Sequence, residues 1–152
     1  MKFKEKFLLL MMKIFRVEPQ TLGVPVIIIE KGKILLGKRS PKDVLYPNLW
    51  GLPGGLVETR EKIEEAGKRE VKEELGVNIR VIKKSNKVYE EFISYKRLNF
   101  RAINIPIYGK IIKGGPTPKD ETSEVKWFTP TEVRKMKLAY NHKEILKEEG
   151  VI

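Results

Sequence analysis

The chain has 152 residues, of which 41% are hydrophobic and 34% charged, which fits one folded domain and excludes an intrinsically disordered chain. Its longest early apolar run, residues 7–12, is far shorter than the roughly 20 residues that span a bilayer, so no membrane protein is expected. The absence of cysteine excludes disulfide scaffolds and thiolate sites, and a single histidine excludes multi-histidine metal centres. Metal or acid–base chemistry must therefore come mainly from the 20 carboxylates. The lack of cysteine also suits a reducing compartment, and we expect a cytoplasmic protein.

The formal charge of +11 is unevenly distributed. Residues 78–119 contain ten basic and two acidic residues. A basic field attracts polyanions of every kind, from nucleic acids to nucleotides, and charge alone does not choose between them.

The first 15 residues carry lysines followed by an apolar core, as a signal peptide does. The core is short, Lys13 follows it at once, and no small-residue cleavage site comes after it. We therefore expect an N-terminal arm or amphipathic helix over residues 1–15, followed by one domain over residues 16–152.

The next segments contain β-branched apolar runs. Residues 24–30 and 33–39 predict a β-hairpin that turns at Lys31–Gly32. Residues 40–55 are rich in proline, glycine and asparagine and predict a structured loop.

Residues 60–75 have helical spacing and no proline, and Gly76 provides a C-terminal stop. The remaining predicted elements are long strands over residues 79–92 and 97–112, a short strand over 124–129, a helix from Thr129 or Thr131 to Met136, and a helix from Asn141 to Glu149 with His142 on the surface. Strands outnumber helices, which predicts an α/β fold with helices on both faces of a mixed sheet.

Three glutamates lie close together on the central predicted helix. At about 100° per residue, Glu70, Glu73 and Glu74 fall within an arc of about 100°. They continue a stripe of apolar and small residues that begins one to two turns earlier. An ordinary solvated helix, with its glutamates paired to nearby lysines, is the alternative interpretation.

Such a cluster is costly without a cation, because like charges about 6 Å apart repel by roughly 3 kcal/mol at an effective dielectric constant of 20. Arg69 can offset one of these charges but not three. Oxygen-only ligation suits Mg²⁺, or Mn²⁺ as a substitute, and Mg²⁺ usually keeps positions open for substrate phosphate. The pattern therefore predicts a phosphate-handling metal site.

The residues around the cluster form a longer pattern over residues 55–77. Its fixed positions are Gly55, Glu61, Arg69, Glu70, Val71, Glu73, Glu74, Gly76 and Val77. This pattern resembles the signature of the Nudix hydrolases at every fixed position. Residues 36–40, 50–55 and 120–128 also resemble family segments that flank the signature, so the resemblance covers residues 22–137.

The resemblance implies a Nudix-type α/β/α sandwich with a mixed β-sheet, in which the signature forms a loop–helix–loop. It implies pyrophosphohydrolase activity of the MutT kind on a nucleoside diphosphate linked to another group, as in a nucleoside triphosphate, a dinucleoside polyphosphate or a nucleotide sugar. It also implies Mg²⁺, held by the side chains of Glu70, Glu73 and Glu74 and the backbone carbonyl of Gly54.

Carried over by position, Glu61 and Arg69 would pair with neighbours and fix the loop against the helix. Family members activate water with a signature glutamate or with one from a later loop. Glu73, Glu121 and Glu124 all remain candidates for this role.

Two substrate contacts are expected outside the signature. Arg39 ends a predicted strand just before the loop and is a candidate phosphate ligand, with a solvated strand end as the alternative. Tyr95 lies 18 residues beyond Val77. In the family, a tyrosine at about this distance is associated with dinucleoside polyphosphate substrates, and a proline slightly nearer with ADP-ribose.

Two further interpretations stay open beside the enzyme. One is a non-catalytic Nudix-like module that binds a nucleotide, or RNA through its basic strands. The other is an α/β domain whose signature is accidental. The expected partner is a small nucleotide, with nucleic acid a weaker alternative, and the chain is expected to be a monomer or a homodimer.

Overall fold

The structure is a computed structural model that describes residues 19–96 and 98–152, with Leu98 described by its backbone alone. The arm predicted over residues 1–15 lies outside the described residues. In chain order the described elements are β1 (Gln20–Glu30), β2 (Lys33–Arg39), β3 (Trp50–Gly51), β4 (Gly54–Leu56), α1 (Ile63–Leu75), β5 (Asn78–Lys84), β6 (Tyr89–Tyr95), β7 (Leu98–Asn104), β8 (Ile107–Lys113), β9 (Thr122–Phe128), α2 (Pro130–Lys135) and α3 (His142–Glu148). None of these helices has the length and apolar character needed to cross a bilayer.

β1 is the central strand, and its two halves pair with different strands. The first half pairs in parallel with β7 and antiparallel with β4, and β7 carries β6 on its other side. The second half pairs in parallel with β8, which carries β5, and its end pairs antiparallel with β2. β2 also pairs with β3 and β9. The nine described strands therefore form one mixed sheet.

Alternate residues of β1 feed apolar cores on opposite faces of the sheet, as the twofold repeat of a strand requires. Val26 and Ile28 belong to a core that includes Ala66, Val71 and Leu75 of α1. Ile27 belongs to a second core that includes Val133 of α2 and Ile145 and Leu146 of α3. These layers confirm the predicted α/β/α sandwich.

The predicted hairpin is confirmed, and it turns at Lys31 and Gly32, whose φ angles of 50° and 72° suit a tight two-residue turn. The predicted loop over residues 40–55 also contains the short strands β3 and β4. The last strand, predicted over residues 124–129, is β9.

Each of the two long strands predicted over residues 79–92 and 97–112 is in fact two strands. The first breaks at Ser85, whose hydroxyl accepts a hydrogen bond of 3.0 Å from the Lys87 N–H. The second breaks at Pro106, which has no N–H to give to a ladder and whose carbonyl accepts from the Ser85 N–H at 2.8 Å. The breaks allow β6 and β7 to join one half of β1, and β5 and β8 the other.

The helix predicted from Arg60 begins at Ile63, because Arg60 has a left-handed φ of 65°. Gly76, with φ of 69°, ends α1 and donates its N–H to the Lys72 carbonyl at 3.0 Å. Of the two threonines proposed to start α2, Thr129 is the cap, and it forms a reciprocal capping box with the third helical residue.

The predicted surface position of His142 is wrong. The residue begins α3 but is only 9% exposed, and its Nδ1 accepts a hydrogen bond of 3.0 Å from the Leu52 N–H. Asn141 precedes α3 without a side-chain cap bond, and its Oδ1 accepts from Asn104 Nδ2 at 3.2 Å. The start of α3 therefore packs into the molecule, because buried polar partners take the place of water.

Candidate active site

A cavity of about 890 Å³ lies beside the first half of β1. Part of its wall is acidic, made by α1 and the loop before β9: Glu70, Glu73, Glu74, Asp120 and Glu121. Another part is neutral and largely apolar, made by β6 and β7: Ile93, Phe100, Ala102 and Asn104. A ligand that fills the cavity would meet both environments at once.

Glu70 lies against the backbone of the loop between β3 and α1. A Cβ added at Gly55 would come within 2.4 Å of Glu70 Cδ, so only glycine leaves room for this carboxylate. The arrangement explains one fixed position of the signature by a close contact between loop and helix.

Glu74 is held by the neighbouring glycine. Its Oε2 accepts a hydrogen bond of 2.9 Å from the Gly54 N–H. Gly54 has a φ of 132°, and a Cβ there would lie 2.1 Å from the Val24 carbonyl oxygen. Both the dihedral angle and the close approach to β1 therefore require glycine.

Arg69 joins the loop to the helix. Its Nε and Nη2 donate to the two Glu61 oxygens at 2.9 and 3.0 Å, and Nη2 also donates to the Leu56 carbonyl at 3.0 Å. Its Nη1 donates to Glu70 Oε1 at 2.8 Å and to Glu73 Oε2 at 3.2 Å. One guanidinium thus contacts three carboxylates of the signature.

The carboxylates of α1 and of the loop before it differ in their electrostatic state. The hydrogen bonds from Arg69 lower the pKa of Glu61 to about 2. Burial raises the pKa of Glu70, and the contact with Arg69 offsets this only in part. Burial raises the pKa of Glu74 to about 8, against the opposing hydrogen bond from Gly54. Glu74 therefore carries the largest desolvation cost in the cluster.

Within the described residues, no three acidic or histidine side chains stand close enough together to hold an ion as they lie. Arg69 explains part of this, since its Nη1 draws both Glu70 and Glu73 toward itself. Glu74 keeps a half-buried carboxylate whose one hydrogen bond within the described part of the chain comes from Gly54. The donor set is all oxygen, which is what Mg²⁺ and Mn²⁺ accept.

Arg39 lies on the wall of the cavity, at the end of β2. Its Nε donates to the Leu45 carbonyl at 2.9 Å, and its Nη2 is 3.0 Å from Asp43 Oδ2. The guanidinium carbon also lies 5.2 Å from the ring centroid of Tyr140. Arg39 is therefore a half-buried, ordered cation and not a freely solvated strand end.

The loop before β9 reaches the cavity because it caps α1. The N–H groups of Thr117 and Lys119 donate to the Leu75 and Glu74 carbonyls at 3.0 and 2.9 Å. This brings the next two residues, Asp120 and Glu121, into the cavity wall.

Two predicted residues lie elsewhere. Glu124 Oε1 is 2.6 Å from Lys38 Nζ on the neighbouring strand, and the residue does not line the cavity. Tyr95 lies at the far end of β6, with Lys96 Nζ 5.2 Å from its ring centroid, and it does not line the cavity either. The structure therefore brings together Gly54, Glu70, Glu73, Glu74, Arg39 and Glu121.

The sequence interpretation missed Asn104 and His142, which also line the cavity. Both are buried, at 8% and 9% exposure. A single asparagine in a strand and a single histidine before a helix carry no spacing signal. The long-range bond from Leu52 to His142 could be found only from the fold.

A family model described as the NUDIX domain matches residues 19–148. The chain belongs to the Nudix family. The match extends beyond residues 22–137 and includes all of α3, which the sequence resemblance left unexplained. The fold is shared with a MutT protein from Methanosarcina mazei Go1, which superposes with a TM-score of 0.70 at 24% identity, over 88% of this chain and 97% of that one.

Two curated relatives cover most of the domain. A Bacillus subtilis (strain 168) protein with the provisional name 8-oxo-dGTP diphosphatase is 39% identical over 72% of this chain and 67% of its own length. The ADP-ribose pyrophosphatase of Methanocaldococcus jannaschii is 37% identical over 80% of this chain and 68% of its own length. Among the curated relatives matched first, the chain spans between 17% and 68% of the relative's length.

Proposed function

We propose that this Nudix protein is an Mg²⁺-dependent pyrophosphohydrolase that cleaves the diphosphate linkage of a nucleoside diphosphate joined to another group. The observation that carries the proposal is a single cavity walled by the three signature glutamates on one side and by neutral, largely apolar side chains on β6 and β7. An uncharged nucleoside suits the neutral wall, and charged phosphates suit the acidic wall once a cation lies between them.

The residues present fit a divalent cation. Glu74 has a desolvated carboxylate that needs positive charge, and Glu70 and Glu73 share one guanidinium. We propose that Glu70 and Glu74, with Glu73 and the Gly54 carbonyl, would hold Mg²⁺, or Mn²⁺ in its place. When bound, the ion would neutralise phosphate oxygens and lower the pKa of a coordinated water.

The other side chains have supporting roles in this proposal. Arg69 and Glu61 fix the loop that carries the two glycines, since their bidentate pair joins α1 to the segment before it. Arg39 would contact a substrate phosphate, because its guanidinium is fixed on the cavity wall.

Of the three candidates for the general base, Glu73 and Glu121 line the cavity and Glu124 does not. A base must lie within hydrogen-bond reach of the water it activates, directly or through one further water. The geometry therefore favours Glu73 or Glu121.

The substrate belongs to the small nucleotides, and the names of the relatives suggest which to test first. The relatives are named for an oxidised deoxynucleoside triphosphate and for ADP-ribose. Tyr95, whose spacing favoured dinucleoside polyphosphates, lies outside the cavity lining, so these compounds are not preferred.

The test is a screen of purified protein for release of a nucleoside monophosphate from 8-oxo-dGTP, dGTP, ADP-ribose and diadenosine polyphosphates. We expect hydrolysis of at least one compound with Mg²⁺ and none with EDTA. Glu74→Gln should lower turnover by about 100-fold or more, because the ion loses a charged ligand. Glu65→Gln, on the exposed face of α1, is the matched control and should behave as wild type.

Full activity in Glu74→Gln would contradict the metal assignment. Nucleotide binding without hydrolysis of any compound would instead favour the non-catalytic module.

A further inference from the structure

His142 is a buried polar residue on the cavity wall that the proposed hydrolysis does not use. It is 9% exposed, and it lies beside Gly51, where an added Cβ would be 2.9 Å from its Nδ1. Its ring centroid is 5.3 Å from that of Tyr140, another residue of the cavity wall. The imidazole is thus held in place from several sides.

The hydrogen bond to Leu52 determines the tautomer of the imidazole. The backbone N–H of Leu52 donates to Nδ1 at 3.0 Å, so Nδ1 carries no proton. A neutral imidazole then carries its proton on Nε2 and offers it as a donor. Burial, with a smaller contribution from Arg39, lowers the pKa of His142 to about 3, which keeps the ring neutral at physiological pH.

The Nε2–H makes no hydrogen bond to any described residue. His142 Nε2 is not among the enclosed side-chain polar atoms that lack a hydrogen bond within the described part of the chain, which are Asp43 Oδ2 and Asn141 Nδ2. His142 lines the cavity, and its Nε2–H is the ring donor left for a ligand there.

The residues around the imidazole suit an uncharged ligand atom. Gly51, Leu52 and Ala139 line the same cavity as the ring, and Asn104 adds a neutral amide. The nearby cation, Arg39, pairs with Asp43 and is the side chain proposed above to contact a substrate phosphate. A neutral imidazole supplies no counter-charge, so its N–H favours a neutral acceptor over a phosphate oxygen.

We propose that His142 is a specificity-determining residue whose Nε2–H donates a hydrogen bond to an acceptor on the nucleobase of the substrate. The inference rests on the proposed function only in that the cavity binds a nucleotide. A base carbonyl or ring nitrogen satisfies the donor, and a base that presents a hydrogen at that position leaves it unpaired.

A direct test uses the fact that the chain contains a single histidine. In protein labelled with ¹⁵N-histidine, NMR should show one imidazole with a protonated Nε2 and an unprotonated Nδ1. We expect the Nε2–H proton to move downfield when dGMP or AMP is added with Mg²⁺, and not when ribose 5-phosphate is added.

A response to ribose 5-phosphate as large as that to a nucleotide would overturn the assignment to the base. So would an unchanged Nε2–H signal at nucleotide concentrations that saturate binding by calorimetry, or no binding of either nucleotide at millimolar concentration. None of these outcomes depends on hydrolysis. Activity in the nucleotide screen together with a silent Nε2–H would therefore reject this inference and leave the proposed function standing.

Two variants separate the two nitrogens of the ring. In His142→Asn, the amide oxygen can take the place of Nδ1 and keep the Leu52 bond while the donor is lost. In His142→Gln, the amide nitrogen can take the place of Nε2 while the Leu52 bond is lost. Glu144→Gln, exposed on the same helix, is the control.

We expect His142→Asn to keep a melting temperature near that of wild type and to bind the responding nucleotide about three- to tenfold more weakly, the range for one lost neutral hydrogen bond. His142→Gln should be less stable but bind more tightly than the asparagine variant. Wild-type affinity in His142→Asn, or affinity losses that simply follow the stability losses, would show that the residue is only structural.

Discussion

Glu70 can lie against β4 only because residue 55 has no side chain. The same short strand gives the Gly54 N–H to Glu74, so two consecutive glycines place two carboxylates of α1. The positions of these acidic groups therefore depend on backbone that comes before the helix.

The first prediction concerns Gly55→Ala. The new Cβ would come within 2.4 Å of Glu70 Cδ, so the carboxylate must move away from the loop. A displacement of about 1 Å in a catalytic site can cost about 100-fold in rate, and we expect a loss of that order in hydrolysis, measured at saturating Mg²⁺. The protein should also bind Mg²⁺ more weakly, because Glu70 is a proposed ligand of the ion.

Gly115→Ala is the matched control, because a Cβ there meets nothing within 4 Å. Unchanged activity in Gly55→Ala would mean that Glu70 does not need its observed place.

At the level of the elements, the C-terminal helix is tied to the sheet by one carboxylate. Glu149 Oε1 accepts from Ser85 Oγ at 2.6 Å and from Tyr89 OH at 2.8 Å, and Oε2 accepts from Tyr108 OH at 2.7 Å. The turn at Ser85 and the strands β6 and β8 thus meet at the end of α3. Because α3 begins at His142, this contact also fixes one wall of the cavity.

The second prediction is that this contact makes stability depend on pH. Burial raises the pKa of Glu149, but the hydrogen bonds from Ser85, Tyr108 and Tyr89 outweigh it and hold the pKa below its usual value. A lowered pKa means that the stabilisation is present above the unfolded value of about 4.3 and is lost as the pH falls through the folded pKa.

Glu149→Gln should therefore reduce the free energy of unfolding by about 1–2 kcal/mol at pH 7 and flatten its decline in acid, as measured by urea unfolding between pH 3 and pH 7. Glu148→Gln, whose side chain is exposed, should leave the curve unchanged. If the free energy of unfolding fell equally steeply in acid for wild type and Glu149→Gln, Glu149 would not be the source of the pH dependence.

The elements also show what the sequence could and could not predict. The hairpin, α1 and the capped α2 were predictable because periodicity, turn residues and caps act over a few neighbouring residues. The long strands were predicted without their breaks at Ser85 and Pro106, because an apolar alternation continues on both sides of each break. Which half of β1 each strand joins is decided by pairing across the sheet and not by the local pattern.

The candidate site divides in the same way. Glu70, Glu73 and Glu74 were predictable because one helix places them at fixed angles. Asn104 and His142 were not, since they reach the cavity from separate elements through contacts that no sequence spacing records. The acidic wall of the cavity was thus predicted from one segment, whereas the residues that reach the cavity from other elements needed the whole fold.

For the molecule as a whole, the site should lower the stability of the metal-free protein. Burial raises the pKa of Glu74 to about 8, which means that the folded protein is a poor environment for this charge. Functional groups commonly carry such a cost, and replacing them often increases stability. Glutamine has the same shape as glutamate and can still accept from the Gly54 N–H.

We therefore predict that Glu74→Gln melts at a higher temperature than wild type in EDTA, by a few degrees, because a desolvated acid is replaced by a neutral amide. Mg²⁺ should raise the melting temperature of wild type, since an ion that binds only the folded state stabilises it by mass action. It should raise the melting temperature of Glu74→Gln much less.

Differential scanning calorimetry measures both effects, in EDTA and at Mg²⁺ concentrations that increase in 10-fold steps, with Glu65→Gln as control. If Mg²⁺ raised the melting temperatures of wild type and Glu74→Gln equally, the buried charge of Glu74 would not bind the metal. Glu74 would then be only a structural residue.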